Sequence, residues 1–75
     1  MNETIKQQII EQAKENLKES VNYYDMDYLK KSSYYVEQVR NQIGRIAFDI
    51  IWDNNLDIDY TINEENELVN RFFEA

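Results

Sequence analysis

Between Tyr28 and Asp53 the apolar residues Leu29, Val36, Ile43 and Ile50 recur at every seventh position, and Val39 and Ile46 fill the alternate slots. Steps of three and four place all six on one side of an α-helix, so the segment reads as a single long central helix. Toward its end a second apolar face opens through Gly44, Ala47, Phe48 and Ile51, with Arg45 and Asp49 as the main polar interruptions. A helix that is apolar around most of its circumference is packed on most sides. The pattern therefore describes a core post gripped by neighbouring helices. Gly44, beside Ala47, costs about 1 kcal/mol relative to alanine and reads equally as a place where another helix crosses close by or as a plainly tolerated glycine.

Upstream, Ile5, Ile9, Ala13, Leu17 and Val21 fall four apart, with Ile10 widening the stripe. This predicts an amphipathic first helix of about twenty residues. Thr4 and Gln7 have capping-box spacing, and Asn2 is a rival cap one turn earlier. The best break before the central helix lies in Asn22–Asp27, where Asp25 or Asp27 can cap. Downstream, Asp53, Asn54 and Asn55 tolerate turn geometry and end the central helix. Leu56, Ile58, Tyr60 and Ile62 then alternate with Asp57, Asp59 and Thr61. A lone strand needs a neighbour, so the expectation is an extended connector laid on the core, with a short strand in a dimer as the lesser option. Thr61 and Glu64, or Asn63, can cap a last helix that carries Leu68, Val69, Phe72 and Phe73 to about Glu74. The predicted fold is all-α: one domain over residues 1–75, three helices, a long central one, and a short extended connector before the last.

Zero proline and one glycine in 75 residues agree with helices. A chain of this length buries roughly 60% of its unfolded surface, and without cysteine no disulfide assists. A bound target, or a homodimer through the central or first helix, would add stability. The missing cysteines fit a cytoplasmic location. Met1–Ile10 is too polar for a signal peptide, and no apolar run is long enough to cross a bilayer. Without histidine or cysteine, Ser–His and Cys–His catalysis is excluded, and a single glycine excludes glycine-rich phosphate loops. No enzyme and no cofactor are expected.

The formal charge is −7, and it is unevenly spread. Residues 1–21 hold four acids and three bases, and residues 22–45 hold three acids and four bases. Residues 46–75 hold eight acids against Arg71 alone, so they carry the whole net charge. Such a field repels nucleic acid and membrane surfaces and attracts basic proteins. Carboxylates spaced over a folded surface can stand in for phosphates and occupy the groove of a nucleic-acid-binding protein. The candidate partner-binding residues are Asp49, Asp53, Asp57, Asp59, Glu64, Glu65 and Glu67, with Trp52 and Tyr60 as apolar anchors. The paired tyrosines Tyr23–Tyr24 and Tyr34–Tyr35 cannot share one helix face, so one of each reaches the surface. With Tyr28, they are expected mainly to wall the two ends of the core.

Asp53, Asn55, Asp57, Thr61 and Glu64 fall where an EF-hand calcium loop places oxygen ligands, and the twelve residues Asp53–Glu64 resemble that loop. The sixth position, normally glycine, is the β-branched Ile58, which resists positive φ. The expectation is therefore no metal, with single-hand calcium binding as one alternative and a structural or antitoxin-like helical dimer as another. Small size, acidity and the lack of catalytic residues resemble, as a type, phage-encoded inhibitors of host defence or host polymerases, anti-CRISPR proteins and DNA mimics among them. That resemblance is one of composition. It implies an inhibitor or regulator that binds a basic, nucleic-acid-handling protein.

Overall fold

Four of the five helices begin where a side-chain oxygen meets a free backbone N–H, and those caps set boundaries in the computed structural model, which describes residues 1–56 and 59–74. Asn2 Oδ1 accepts from Ile5 N at 2.9 Å and starts α1 (Glu3–Asn16), so Asn2, not the Thr4–Gln7 box, is the cap. A second helix, α2, covers Lys18–Tyr23. Asp25 Oδ1 accepts from Tyr28 N at 2.8 Å and starts α3 (Met26–Lys30). Ser32 Oγ accepts from Tyr35 N and starts α4 (Ser33–Asp53). Thr61 Oγ1 accepts from Glu64 N and starts α5 (Ile62–Phe73).

The fold is all-α, with five helices and no strand among the described residues. Three helices were expected, and two internal breaks account for the difference. At Leu17 the backbone leaves helical geometry (φ −111°, ψ 24°) while the flanking bonds Leu17 N to Ala13 O and Val21 N to Leu17 O persist at 3.0 Å. The predicted first helix is thus kinked rather than ended. One residue earlier, Asn16 is tied to α4 through Gln42 Oε1. At Ser32 the backbone is extended and the hydroxyl caps the following turn, as serine does when it competes with the helix ladder. The central helix therefore starts at Ser33, and Leu29 reaches the seam from a separate short helix.

At its other end, α4 closes with a Schellman arrangement: Leu56 N donates to Ile51 O, Asn55 N to Trp52 O, and Asn55 adopts φ 53°. The left-handed tolerance expected of the Asp-Asn-Asn stop is used at Asn55. In the connector, Leu56, Asp59, Tyr60 and Thr61 are non-helical. Asp57 and Ile58 lie outside the described residues.

One core holds the helices together. It draws Ile9, Ile10 and Ala13 from α1, Leu29 from α3, Tyr35, Val39, Ile43, Ile46 and Ala47 from α4, and Leu68, Val69 and Phe72 from α5. No charged or polar side chain is buried among the described residues. The seam residues Val36 and Ile50 pack against this core half-buried. α1 is joined to α5 by a two-pronged pair, Arg71 Nη1 and Nη2 to Glu3 Oε1 and Oε2 at 3.1 and 2.9 Å, and by Lys6 Nζ to Glu67 Oε2 at 2.7 Å. Hydrogen bonding to Arg71 holds the Glu3 carboxyl below its ordinary value.

The close approach at Gly44 is made by a side chain of α5: a Cβ built there would sit 3.3 Å from Glu65 Oε1. That oxygen ends a flexible side chain and can give by a few tenths of an ångström. Gly44→Ala is therefore expected to stabilise the fold by about 0.5–1 kcal/mol through lower unfolded-state entropy and better helix propensity. Urea denaturation checks it; a loss of stability would mean that Glu65 is fixed in place.

Candidate protein-binding surface

The last two turns of α4 carry alternating stripes. Phe48 and Trp52, four apart, stack on each other with centroids 5.9 Å apart and rings 12° from parallel. They remain 62% and 74% exposed. Asp49 and Asp53 stand beside them, one position on, and are exposed as well. The core-facing residues of the same turns are Ile46 and Ala47, which turns this acidic and aromatic strip outward. Phe48 had been assigned to a packed face; Ala47 takes that place and Phe48 does not. Its i,i+4 spacing from Trp52 was the available signal.

The other candidates divide. Asp59 is exposed. Asp57 lies outside the described residues. Glu67 is engaged by Lys6, whose ammonium that hydrogen bond raises above its ordinary range. Glu64 and Glu65 are half-buried, and Glu64 Oε2 is enclosed without a hydrogen-bond partner among the described residues. Tyr60 packs half-buried against the core, and its hydroxyl is enclosed in the same unpartnered way. The structure thus brings Asp49, Trp52 and Asp53 together as an open surface, and folds Tyr60, Glu64 and Glu65 inward. It adds acids that the sequence reading did not include. Glu11 and Glu15 of α1 share with Asp49 and Arg45 a groove of about 610 Å³ over Ile46 and Ile50.

Burial pushes the Tyr60 phenol well above the ordinary tyrosine value of 10.0, and the neighbouring Glu65 carboxylate adds to this, with Arg40 opposing. Burial also raises Tyr35; the Ser20 side chain offsets part of that without meeting hydrogen-bond geometry. A folded-state pKa above the unfolded one gives stability that is complete below pH 10 and lost as pH rises toward the folded value. The fold is therefore expected to weaken above pH 10. Tyr60→Phe should gain up to about 1 kcal/mol at neutral pH, because it removes an enclosed, unpartnered hydroxyl, and should flatten the alkaline loss. Denaturation curves at neutral and alkaline pH read both effects; a destabilised variant would show that the hydroxyl is satisfied after all.

Three of the calcium-loop positions have backbone roles in the fold. Asp53 is the last residue of α4, Asn55 forms the left-handed turn, and Thr61 Oγ1 caps α5. Among the described residues no three acidic side chains gather into a cation cage. Among the described residues no helix is long and apolar enough to cross a membrane. The tyrosines expected to wall the core do so only at Tyr35: Tyr23, Tyr24, Tyr28 and Tyr34 are exposed. Comparison with known proteins finds no matching family model, curated protein or solved structure.

Proposed function

We propose that this chain is a small protein-binding inhibitor or regulator, with no chemistry of its own, that docks a basic, nucleic-acid-handling protein on the C-terminal end of α4. The observation that carries the reading is the stacked Phe48–Trp52 pair standing in solvent beside Asp49 and Asp53. Aromatic rings of about 200 Å² each, left this exposed, forgo apolar burial on the order of 5 kcal/mol that a partner would recover. Paired aromatics at the centre of a charged rim have the composition of an interface hot spot. The flanking carboxylates choose the partner's sign, since a basic surface is drawn in and nucleic acid is repelled. Two copies meeting face to face here would bring their Asp49 and Asp53 side chains together, so self-association through this strip is opposed by charge.

Affinity capture from a lysate of the encoding organism or its host, treated with nuclease, tests the proposal. Wild-type chain is expected to retain a basic nucleic-acid-binding protein that elutes with salt. A variant neutralised at Asp49, Asp53 and Asp59 by asparagine is expected to retain much less of it. Equal retention by both, with unchanged salt dependence, would overturn the reading and leave the acids as a solubility coat.

A further inference from the structure

A second surface lies at the other end of α4. The five-residue α3 leans across α4 and α5 and leaves a cleft of about 1120 Å³ floored by Met26, Val36, Val69 and Phe73. Val69 is buried and the other three are half-buried, so the floor is reachable but apolar. Asp27 and Glu74 at the rim face a single cation, Lys30; Asp25, also at the rim, already accepts the Tyr28 N–H. Between α2 and α3, Tyr24 stacks on Tyr28 (5.2 Å, 13°) and Tyr23 meets Tyr24 edge-on at 4.7 Å. Tyr23 is 80% exposed and Tyr28 62%. These three tyrosines pack on one another in solvent, and none of them lines the cleft.

We propose that this cleft is a second docking site, and that its occupant is a basic peptide segment carrying an apolar side chain beside an arginine or lysine. The apolar side chain enters the floor of Met26, Val36, Val69 and Phe73. The cation pairs with Asp27 and Glu74, and an arginine can present its planar guanidinium to both carboxylates. The thioether of Met26 lets the floor adapt to the shape that enters. Charge sign selects the occupant: the lining holds Asp25, Asp27 and Glu74 against Lys30 alone. This site stands apart from the Phe48–Trp52 strip, because α4 rises about 18 Å between Val36, in the cleft, and Phe48.

The probe is an amidated Leu-Arg-Leu-Arg peptide titrated into the isotope-labelled full chain and followed by NMR, with Leu-Glu-Leu-Glu as control. Saturable shifts are expected at the Met26, Val36 and Val69 methyls, and none with the acidic control. Asp27→Asn combined with Glu74→Gln is expected to weaken binding about fivefold, the scale of two partly exposed ion pairs. Lys30→Gln, which removes the opposing cation and leaves both acids, is expected to tighten it about twofold. Trp52→Ala should leave it unchanged. Shifts confined to Trp52 and Asp53 would overturn the second site while leaving the α4 strip standing. Shifts that do not saturate, or an affinity indifferent to Asp27, Glu74 and Lys30, would overturn it as well.

Discussion

Phe72→Ala is expected to leave the chain largely unfolded at physiological temperature. Phe72 is the largest fully buried side chain, and it meets Phe73 edge-on at 5.2 Å within the core shared by α1, α4 and α5. Truncating a buried phenylalanine costs about 3–5 kcal/mol, part lost transfer energy and part cavity. A domain of this length has on the order of 4–11 kcal/mol of total stability, with no disulfide to hold the remainder. Phe73, half-buried beside it, is the control: Phe73→Ala should lose less and stay folded. Far-UV circular dichroism and thermal melts decide. A cooperative Phe72→Ala melt near the wild-type midpoint would show that the core closes over the gap.

Trp52→Ala is expected to do the reverse, sparing the fold and removing the interaction. With Trp52 74% exposed, its truncation should change stability by no more than about 0.5 kcal/mol. As the anchor of the proposed interface it should reduce affinity for the captured partner by about 2 kcal/mol or more, roughly thirtyfold. Phe48→Ala should repeat the effect in part, because it removes the ring on which Trp52 rests. Calorimetric titration of the captured protein reads the loss, and an unchanged affinity would remove Trp52 from the interface.

The helical class was written plainly in the spacing of Val39, Ile43 and Ile46, and in caps whose chemistry is local: Asp25, Asn55 and Thr61 act as their side chains suggest. Ser32 was legible too, as a hydroxyl in an apolar seam, yet the seven-residue rhythm on either side hid the break. The kink at Leu17 has no glycine or proline to announce it. For the surface, the phase of α5 carried more information than charge counting. Glu64 and Glu65 precede the buried Leu68 and Val69 by one turn, so they share the inward face. The pairing of Glu67 with Lys6 joins residues far apart in sequence, and no local pattern encodes it. The same is true of the groove where Glu11 and Glu15 meet Asp49.

The fork between Glu3 and Arg71 spans 68 residues of chain. During synthesis α1 emerges with its apolar face bare, and α5, which covers part of it, follows only after α2, α3 and α4. At about 5–20 residues per second that interval is roughly 3–14 s, far longer than a helix needs to form. The core therefore closes only once α5 has been made, not helix by helix. In the meantime Ile9 and Ile10 depend on α4 or on a chaperone to stay out of aggregates.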